Sequence, residues 1–469
     1  MTALRPLMVL GCTSDAGKSL LVTALCAWFR REGVRVAPFK AQNMSNNARV
    51  VVTPHGHGEI GVAQWLQAKA AGLEPDVRMN PVLLKPEADT QSQVVVRGVV
   101  DHKLTATPWQ DRHDALWTPM AEGLNELAAE FDLVVIEGAG SPAEINLVDQ
   151  VNNRMIEHAD AAALLVSDID RGGSFAHLYG TWALVPEATR ERLGGFVLNK
   201  FRGDPTLLAP GPARLTEMTG MAAAGVLPML RHRLPREEGA VEHGDAPAGA
   251  PSVVIPRLPF GSNLDEFHML SHAASIRWAT DAASFERADI VVLPGSKHVV
   301  ADVAWMRERG LDVAVARAAA AGKPVIGVCG GAMMLGMSLD DANGVEGFAR
   351  GSTEMLGLLP LRTTMADDKL TVRSSVDWQG EQHAGYEIRY GQLAGGDDLV
   401  IARSELGPVG WRRDNVVATT VHGLFEDPAF VERLLGIRIS PVLDDTFVQL
   451  ADAVEEHLDT GLLRHLTSR

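Results

Sequence analysis

Cysteine is scarce. The three residues present in 469, Cys12, Cys26 and Cys329, are too few and too scattered for a disulfide framework or a four-thiolate zinc site. That usage fits a reducing, cytoplasmic setting. Long apolar runs are missing as well. Leu7-Met8-Val9-Leu10 stops at Gly11, and no later stretch nears the ~18 uninterrupted apolar residues of a membrane span, so neither a signal peptide nor a membrane partner is expected. Positive charge is in deficit, with 43 Lys and Arg against 59 Asp and Glu, a net −16, which argues against a nucleic-acid partner. An anionic substrate must then be drawn in by a local cluster of basic side chains. Glycine and proline, at 45 and 25 residues, stay well below the ~25–30 % of a low-complexity chain. What remains is an ordinary globular composition, 46 % apolar and 22 % charged, long enough for two to three domains at about 150 residues each.

Short apolar runs separated by helical patterns fill the first half. Leu7–Leu10 ends in a glycine-containing loop, and Leu21, Ala24, Leu25 and Trp28 then recur at helical spacing until Gly33. Val34–Phe39 reads as another strand, and Leu133–Ile136, Ala163–Val166 and Phe196–Leu198 read as strands apolar on both faces, the mark of a parallel sheet covered on both sides. Ligands of such a doubly wound α/β fold sit at the carboxyl ends of the strands. Residues 232–251 lose all periodicity and read as a linker. The rhythm restarts with Val253–Ile255, Ile290–Leu293, Val325–Val328 and Val416–Thr420. The expected division is therefore a first α/β domain over 1–231, the linker, a second α/β domain over 252–435 and a helical tail over 436–469 that packs on either of them.

The loop Gly11-Cys12-Thr13-Ser14-Asp15-Ala16-Gly17-Lys18-Ser19 follows a strand and opens a helix. Backbone N–H groups and the helix N-terminus suit phosphates there; Lys18 neutralises β/γ charge and the Ser19 hydroxyl is placed to ligate Mg²⁺. Five residues rather than four separate Gly11 from Gly17. Glu137 sits at the carboxyl end of a buried strand, where a carboxylate beside a phosphate loop supplies Mg²⁺ coordination. Asp168 and Asp170, before Arg171-Gly172-Gly173, either assist that metal or cap a helix. Lys40 meets a phosphate or a substrate carboxylate, or is a solvated loop lysine. His55-Gly56-His57 has no further ligands nearby in sequence and is not read as a metal site.

In the second half, Gly327-Val328-Cys329-Gly330-Gly331 places Cys329 on a tight strand-to-helix elbow. The N–H of Gly330 and those of the turn Leu293-Pro294-Gly295-Ser296-Lys297, Gly295 foremost, suit an oxyanion hole. His422, after the late strand, is the candidate base for a Cys329 nucleophile. Together these pieces describe a nucleotide site and a thiol amidase on one chain. Phosphorylation gives a carboxylate a good leaving group, and thioester chemistry at Cys329 frees ammonia from glutamine to replace it.

Further segments carry a family resemblance, including Ala37-Pro38-Phe39-Lys40-Ala41-Gln42-Asn43-Met44, Gly58-Glu59-Ile60-Gly61, Met79-Asn80-Pro81-Val82-Leu83-Leu84-Lys85-Pro86 and Glu137-Gly138-Ala139-Gly140-Ser141-Pro142-Ala143-Glu144-Ile145-Asn146-Leu147. With Asp168-Ile169-Asp170-Arg171-Gly172-Gly173, the Cys329 elbow, Gly385-Tyr386-Glu387-Ile388 and His422-Gly423-Leu424-Phe425, the chain resembles the cobyric acid synthase family of glutamine-dependent amidotransferases in cobalamin biosynthesis. The likeness spans almost the whole chain. It implies a dethiobiotin-synthetase-like P-loop domain joined to a class I, flavodoxin-like glutamine amidotransferase domain. It also implies ATP and Mg²⁺ as cofactors, and glutamine and a corrinoid as substrates. Cys329 then maps to the nucleophile and His422 to its base. Lys18 and Ser19 map to the phosphate loop, Lys40 and Glu137 to positions facing phosphate, carboxylate or Mg²⁺, and Asn199 to the reader of the adenine base. Class I glutaminases usually carry Glu two residues after the histidine. Leu424 stands there, so a Cys–His pair without a third member is expected, and Glu426 is not expected to orient His422. Ala332-Met333 replaces the usual aromatic-Gln pair after the nucleophile. Arg112, Arg154, Arg171 and Arg202 are candidate carboxylate clamps. Two rivals stand beside this reading: a cobyrinic acid a,c-diamide synthase, and a P-loop ATPase switch with a non-catalytic amidotransferase domain.

Overall fold

The structure is a computed structural model describing residues 4–88, 91–146, 149, 151–235, 246–347 and 350–468. In the first half a six-stranded parallel sheet runs in the order Ala222–Pro228, Leu193–Phe201, Ala162–Asp168, Leu7–Gly11, Leu133–Glu137, Val36–Phe39. Side chains alternate along each strand, so Leu7 and Val9 enter one core while Met8 and Leu10 enter the other. Helix Lys18–Arg31 covers the first face with Leu21, Leu25 and Trp28, and helix His113–Glu130 covers the second with Leu116, Met120, Leu124 and Leu127. The chain leaves Leu7–Gly11 towards one side of the sheet and later returns to the other. That reversal makes the carboxyl end of this strand the crevice where a doubly wound fold binds ligands.

The second half holds an eleven-stranded sheet. Its parallel part is Ser275–Ala279, Ser252–Pro256, Ile290–Leu293, Val325–Val328 and Val416–Thr419. Antiparallel strands extend it to a long hairpin of Arg362–Trp378 and Glu381–Ala394 that the sequence reading did not identify, and Ser338–Asp341, parallel to Arg362–Trp378, and Gly351–Glu354 complete the sheet. The two faces again carry separate cores.

The tail settles on the first sheet. Helices Leu443–His457 and Thr460–Thr467 place Phe447, Leu450, Val454 and Leu463 in the same core as Leu7, Leu25 and Trp28. Arg31 pairs with Asp452 at 2.6 Å, and Arg464 with Glu32 at 2.6 Å. Residues 236–245 of the expected linker lie outside the described residues, and 232–235 and 246–251 carry neither helix nor strand. Leu147, at the end of the 137–147 motif, also lies outside them. No described helix is long and apolar enough to cross a membrane.

Between the two sheets lies a hairpin of Ala48–Thr53 and Gly56–Gly61, which runs directly into helix Val62–Ala70. This unit belongs to the first half of the chain and touches both sites described next.

Candidate active site

Loop 12–17 connects Leu7–Gly11 to helix Lys18–Arg31 and sits at the crevice. Gly17 has φ 96°, and a Cβ there would lie 2.0 Å from the Asn199 amide nitrogen. The position therefore demands glycine twice over, by backbone conformation and by space. Asn199 comes from Leu193–Phe201, two strands away in the sheet, and donates to the Ala16 carbonyl at 2.9 Å, so in this structure it props the loop. Lys18 is buried and donates to the carbonyls of Thr13 at 3.3 Å and Gly140 at 3.0 Å. Asp15 projects from the loop towards Arg171 at 2.7 Å and Lys200 at 3.2 Å.

Glu137 is the last residue of its strand and 1 % exposed. It accepts from Ser19 Oγ at 2.8 Å and Gln67 at 2.5 Å, and pairs with Lys40 at 2.8 Å. Burial pushes its carboxyl up, but Lys40, Gln67 and Ser19 outweigh that and hold it below the usual carboxylate range. Lys40 is accordingly a buried partner of Glu137 and not a solvated loop lysine. Gln64 and Gln67 escaped the sequence reading; their only trace there is an i, i+3 pair of polar residues following the Gly58–Gly61 motif.

Asp168 meets Lys200 at 3.1 Å and Arg171 at 3.4 Å and accepts the Asp170 N–H, while Asp170 pairs with Arg202 at 3.1 Å. Neither caps the following helix, whose N-cap is Gly173. Arg112 spends its guanidinium on the carbonyls of Thr105 and Thr107, and Arg154 stacks 3.8 Å from the Trp117 ring centroid. Among the described residues no cluster of three His, Cys, Asp or Glu forms a metal cage, the pair His55 and His57 included.

In the second sheet, strand Val325–Val328 turns into helix Gly330–Leu335 at Cys329, with φ 50° and ψ −104°. A β-carbon on Gly331 would fall 2.0 Å from the Leu293 carbonyl, and one on Gly330 would fall 2.6 Å from the Ser296 nitrogen. Glycine is what lets the elbow press against the 293–296 turn. The Cys329 thiol donates to the Ile388 carbonyl at 3.7 Å. Cys12 and Cys26 are buried with thiols pushed up by desolvation, Cys12 to about 11, and neither occupies such an elbow.

His422 faces the Cys329 sulfur. Gly295 lies against its ring, since a Cβ there would meet His422 Cε1 at 2.9 Å. The predicted nucleophile, base and oxyanion glycines are thus brought together. The expectation of an unassisted Cys–His pair needs correcting. Glu266, fully buried, bonds His422 Nδ1 at 2.8 Å through one oxygen and accepts the Gly423 N–H at 3.1 Å through the other. Burial opposes the imidazolium, yet Glu266 and the Cys329 sulfur together push His422 up to about 10. Glu426 does not orient the histidine; it pairs with Arg49. Glu266 escaped detection because it reaches the histidine from 156 residues away, on a four-residue turn whose only sequence signal is an acidic pair between Leu264 and Phe267. A carboxylate–imidazole–thiol line at the tip of a parallel strand can cleave an amide through a thioester.

Phosphate-loop chemistry in one sheet and thiol chemistry in the other define a nucleotide-dependent glutamine amidotransferase. Residues 7–237 match the family model for the CobQ/CobB/MinD/ParA nucleotide binding domain, and residues 252–430 that for the CobB/CobQ-like glutamine amidotransferase domain. A cobyric acid synthase from Variovorax paradoxus is 51 % identical over 98 % of this chain and 99 % of its own. Another, from Methylibium petroleiphilum, is 50 % identical over 98 % of this chain and 96 % of its own. A solved glutamine amidotransferase is 21 % identical, covering 43 % of this chain and 98 % of its own, with a TM-score of 0.30. The chain belongs to the cobyric acid synthase family, whose reaction is glutamine-dependent amidation in cobalamin biosynthesis.

Proposed function

We propose that the protein amidates the b, d, e and g carboxylates of adenosylcobyrinic acid a,c-diamide to give adenosylcobyric acid, consuming ATP and glutamine at each step. The reading is supported above all by the co-occurrence, in a chain of this family, of the Cys329–His422–Glu266 line with a phosphate loop backed by Glu137 and Lys40. Residues 1–231 with the 436–469 tail form the amidoligase in this reading, and 252–435 the glutaminase.

In the glutaminase, the Cys329 sulfur attacks the glutamine carboxamide carbon while backbone N–H groups at Gly295 and Gly330 receive the oxyanion. His422 gives its proton to the departing ammonia, leaving a thioester that water hydrolyses to glutamate. In the amidoligase, loop residues Gly11, Thr13, Ser14, Asp15, Ala16 and Gly17 surround the ATP phosphates, Lys18 neutralises their charge and Asn199, which also braces the loop at Ala16, is assigned the reading of the adenine. The substrate carboxylate takes the γ-phosphoryl group, ADP departs, and ammonia displaces phosphate from the acyl phosphate. Ser19 Oγ and a Glu137 oxygen, 2.8 Å apart, offer the one or two protein oxygens that Mg²⁺ uses alongside nucleotide phosphates and water. Bound there, Mg²⁺ would neutralise charge building on the phosphoryl oxygens. Lys40, beside Glu137, is placed to meet the incoming carboxylate.

The test incubates the protein with adenosylcobyrinic acid a,c-diamide, ATP, Mg²⁺ and glutamine and follows the corrinoid by mass spectrometry. Stepwise amidation with glutamate release is the expected result. Glutamine hydrolysis without corrinoid conversion overturns the substrate assignment and moves cobyrinic acid to the front. The absence of both overturns the enzyme reading in favour of a nucleotide-driven switch.

A further inference from the structure

The triad acid Glu266 sits on the short turn Leu264–Phe267, and residues of the amidoligase domain hold that turn. Asn47 Oδ1 accepts the Leu264 N–H at 3.2 Å, and the Ala48 N–H donates to Asn263 Oδ1 at 3.0 Å. Arg49, next along the same strand and 4 % exposed, donates to Asp265, Glu426 and the Tyr386 hydroxyl. Each of these partners is one step from the catalytic line. Asp265 precedes Glu266. Tyr386 stacks on the His422 ring at 5.5 Å and 23°, and exchanges backbone hydrogen bonds with His422 at 2.8 and 3.1 Å. Glu426 closes the turn that begins after Gly423, whose N–H Glu266 accepts.

We infer that Arg49, supplied by the amidoligase domain, is a positioning residue of the glutaminase triad, so that glutamine hydrolysis is efficient only while the two domains are docked. The inference rests on the glutaminase role proposed for Cys329, His422 and Glu266. Its physical basis is the crowding of Asp265, Glu266 and Glu426 around one guanidinium. A four-residue 3₁₀ turn has few hydrogen bonds of its own to resist displacement. Without Arg49, these carboxylates repel one another or take up protons, and the turn carrying Glu266 shifts away from His422. Lysine carries the charge but cannot reach several acceptors as a planar fork does.

The experiment compares Arg49→Met, Arg49→Lys and Tyr386→Phe with the parent, measuring glutamine hydrolysis and ammonia-driven amidation separately. Arg49→Met is expected to lower glutaminase kcat about 10- to 100-fold with little change in KM, while ammonia-driven amidation stays within about twofold of the parent. The acid limb of its kcat profile should move up by about one pH unit: of the groups around His422 (Glu266, Asp265, Glu426, Tyr386 and Cys329), the Asp265 and Glu426 carboxyls lose the cation that opposes their protonation. Arg49→Lys should recover part of the rate. Tyr386→Phe, which keeps the ring and removes only the hydroxyl, should show a smaller loss of the same kind. A glutaminase kcat and pH profile unchanged in Arg49→Met overturns the inference. Equal loss of both activities in Arg49→Met, with Tyr386→Phe silent, overturns it as well and leaves Arg49 a structural residue. Normal glutamine hydrolysis by Cys329→Ala would instead refute the underlying site assignment, whatever Arg49 does.

Discussion

Replacing Glu266 with glutamine is the sharpest test of how the thiol site is powered. The substitution keeps shape and removes charge at the group that holds His422 Nδ1 at 2.8 Å. His422 lies at about 10 against an ordinary 6.5, a gap worth roughly 5 kcal/mol in favour of the imidazolium. Burial works against that charge, and Glu266 and the Cys329 sulfur supply the stabilisation. If Glu266 contributes about half, its neutralisation costs about 2–3 kcal/mol of imidazolium stability, or about a 10²-fold loss in glutaminase kcat. Glutamine also brings an N–H₂ group that can face Nδ1, which favours the wrong tautomer.

The assay is glutamate release under saturating glutamine, run beside ammonia-driven amidation as a control for folding. KM should change little, because Glu266 touches the histidine and not the substrate. The sign of the pH effect is fixed as well. A raised His422 keeps its proton to higher pH; removing the acid lowers that affinity, so the alkaline limb of kcat should move to lower pH. A Glu266→Gln enzyme with kcat within about threefold of the parent and an unmoved alkaline limb would refute the triad, and a Cys–His pair would then suffice.

Cys329→Ala should abolish glutamine-driven amidation and leave the ammonia-driven reaction running, and loss of both would break the two-site scheme. Lys18→Ala should stop amidation from either nitrogen source, as read by corrinoid mass spectrometry, and normal turnover would remove the phosphate role of Lys18. Glu59 is 1 % exposed between Lys85 at 2.7 Å and Lys369 at 2.6 Å. Burial pushes its carboxyl up, but the two lysines prevail and lower it from 4.5 to about 2. Its stabilising contribution is therefore complete above pH 4.5 and is lost as pH falls through about 2. Glu59→Gln should destabilise the chain by about 3–5 kcal/mol at neutral pH, because it strands buried ammonium groups. An unchanged denaturation midpoint would contradict that.

What could be read from the sequence was whatever consecutive residues carry. The phosphate loop and the Cys329 elbow each lie in a single run of residues, and strands Ile290–Leu293 and Val325–Val328 fall where their apolar runs place them. Glu137 lies inside its strand and Val36 opens one expected from Val34, shifts of one or two residues at strand ends. The 362–394 hairpin escaped because its strands are largely half-exposed, which dilutes the apolar alternation that marks a strand. Glu266, Arg49, Gln64 and Gln67 escaped for another reason. Each acts on a residue at least 70 positions away, through a turn or helix whose placement only the tertiary fold decides.

The contact between the halves follows the same logic. Apart from the tail helices, the described residues join the halves through little apolar surface: one small core sets Ile388 against Ala48, Leu83 and Val95. Charge does more of the pairing. Glu59 of the first half accepts Lys369 of the second, Arg49 reaches Asp265 and Glu426, and Arg373 returns to Glu74. Lys297, two residues beyond Gly295, reaches the Lys85 and Pro86 carbonyls at 3.3 Å each. The buried pairs among these, Glu59–Lys369 and Arg49–Asp265, add little net stability, because desolvation offsets most of their attraction. They penalise misalignment heavily, since any shift leaves a buried charge alone. A docking surface of this composition selects alignment more than strength. The alignment it selects ties helix Val62–Ala70, whose Gln67 holds Glu137, through the 48–61 hairpin to the turn that carries Glu266. One continuous unit of the amidoligase thus borders both the nucleotide site and the acid that orients the glutaminase histidine.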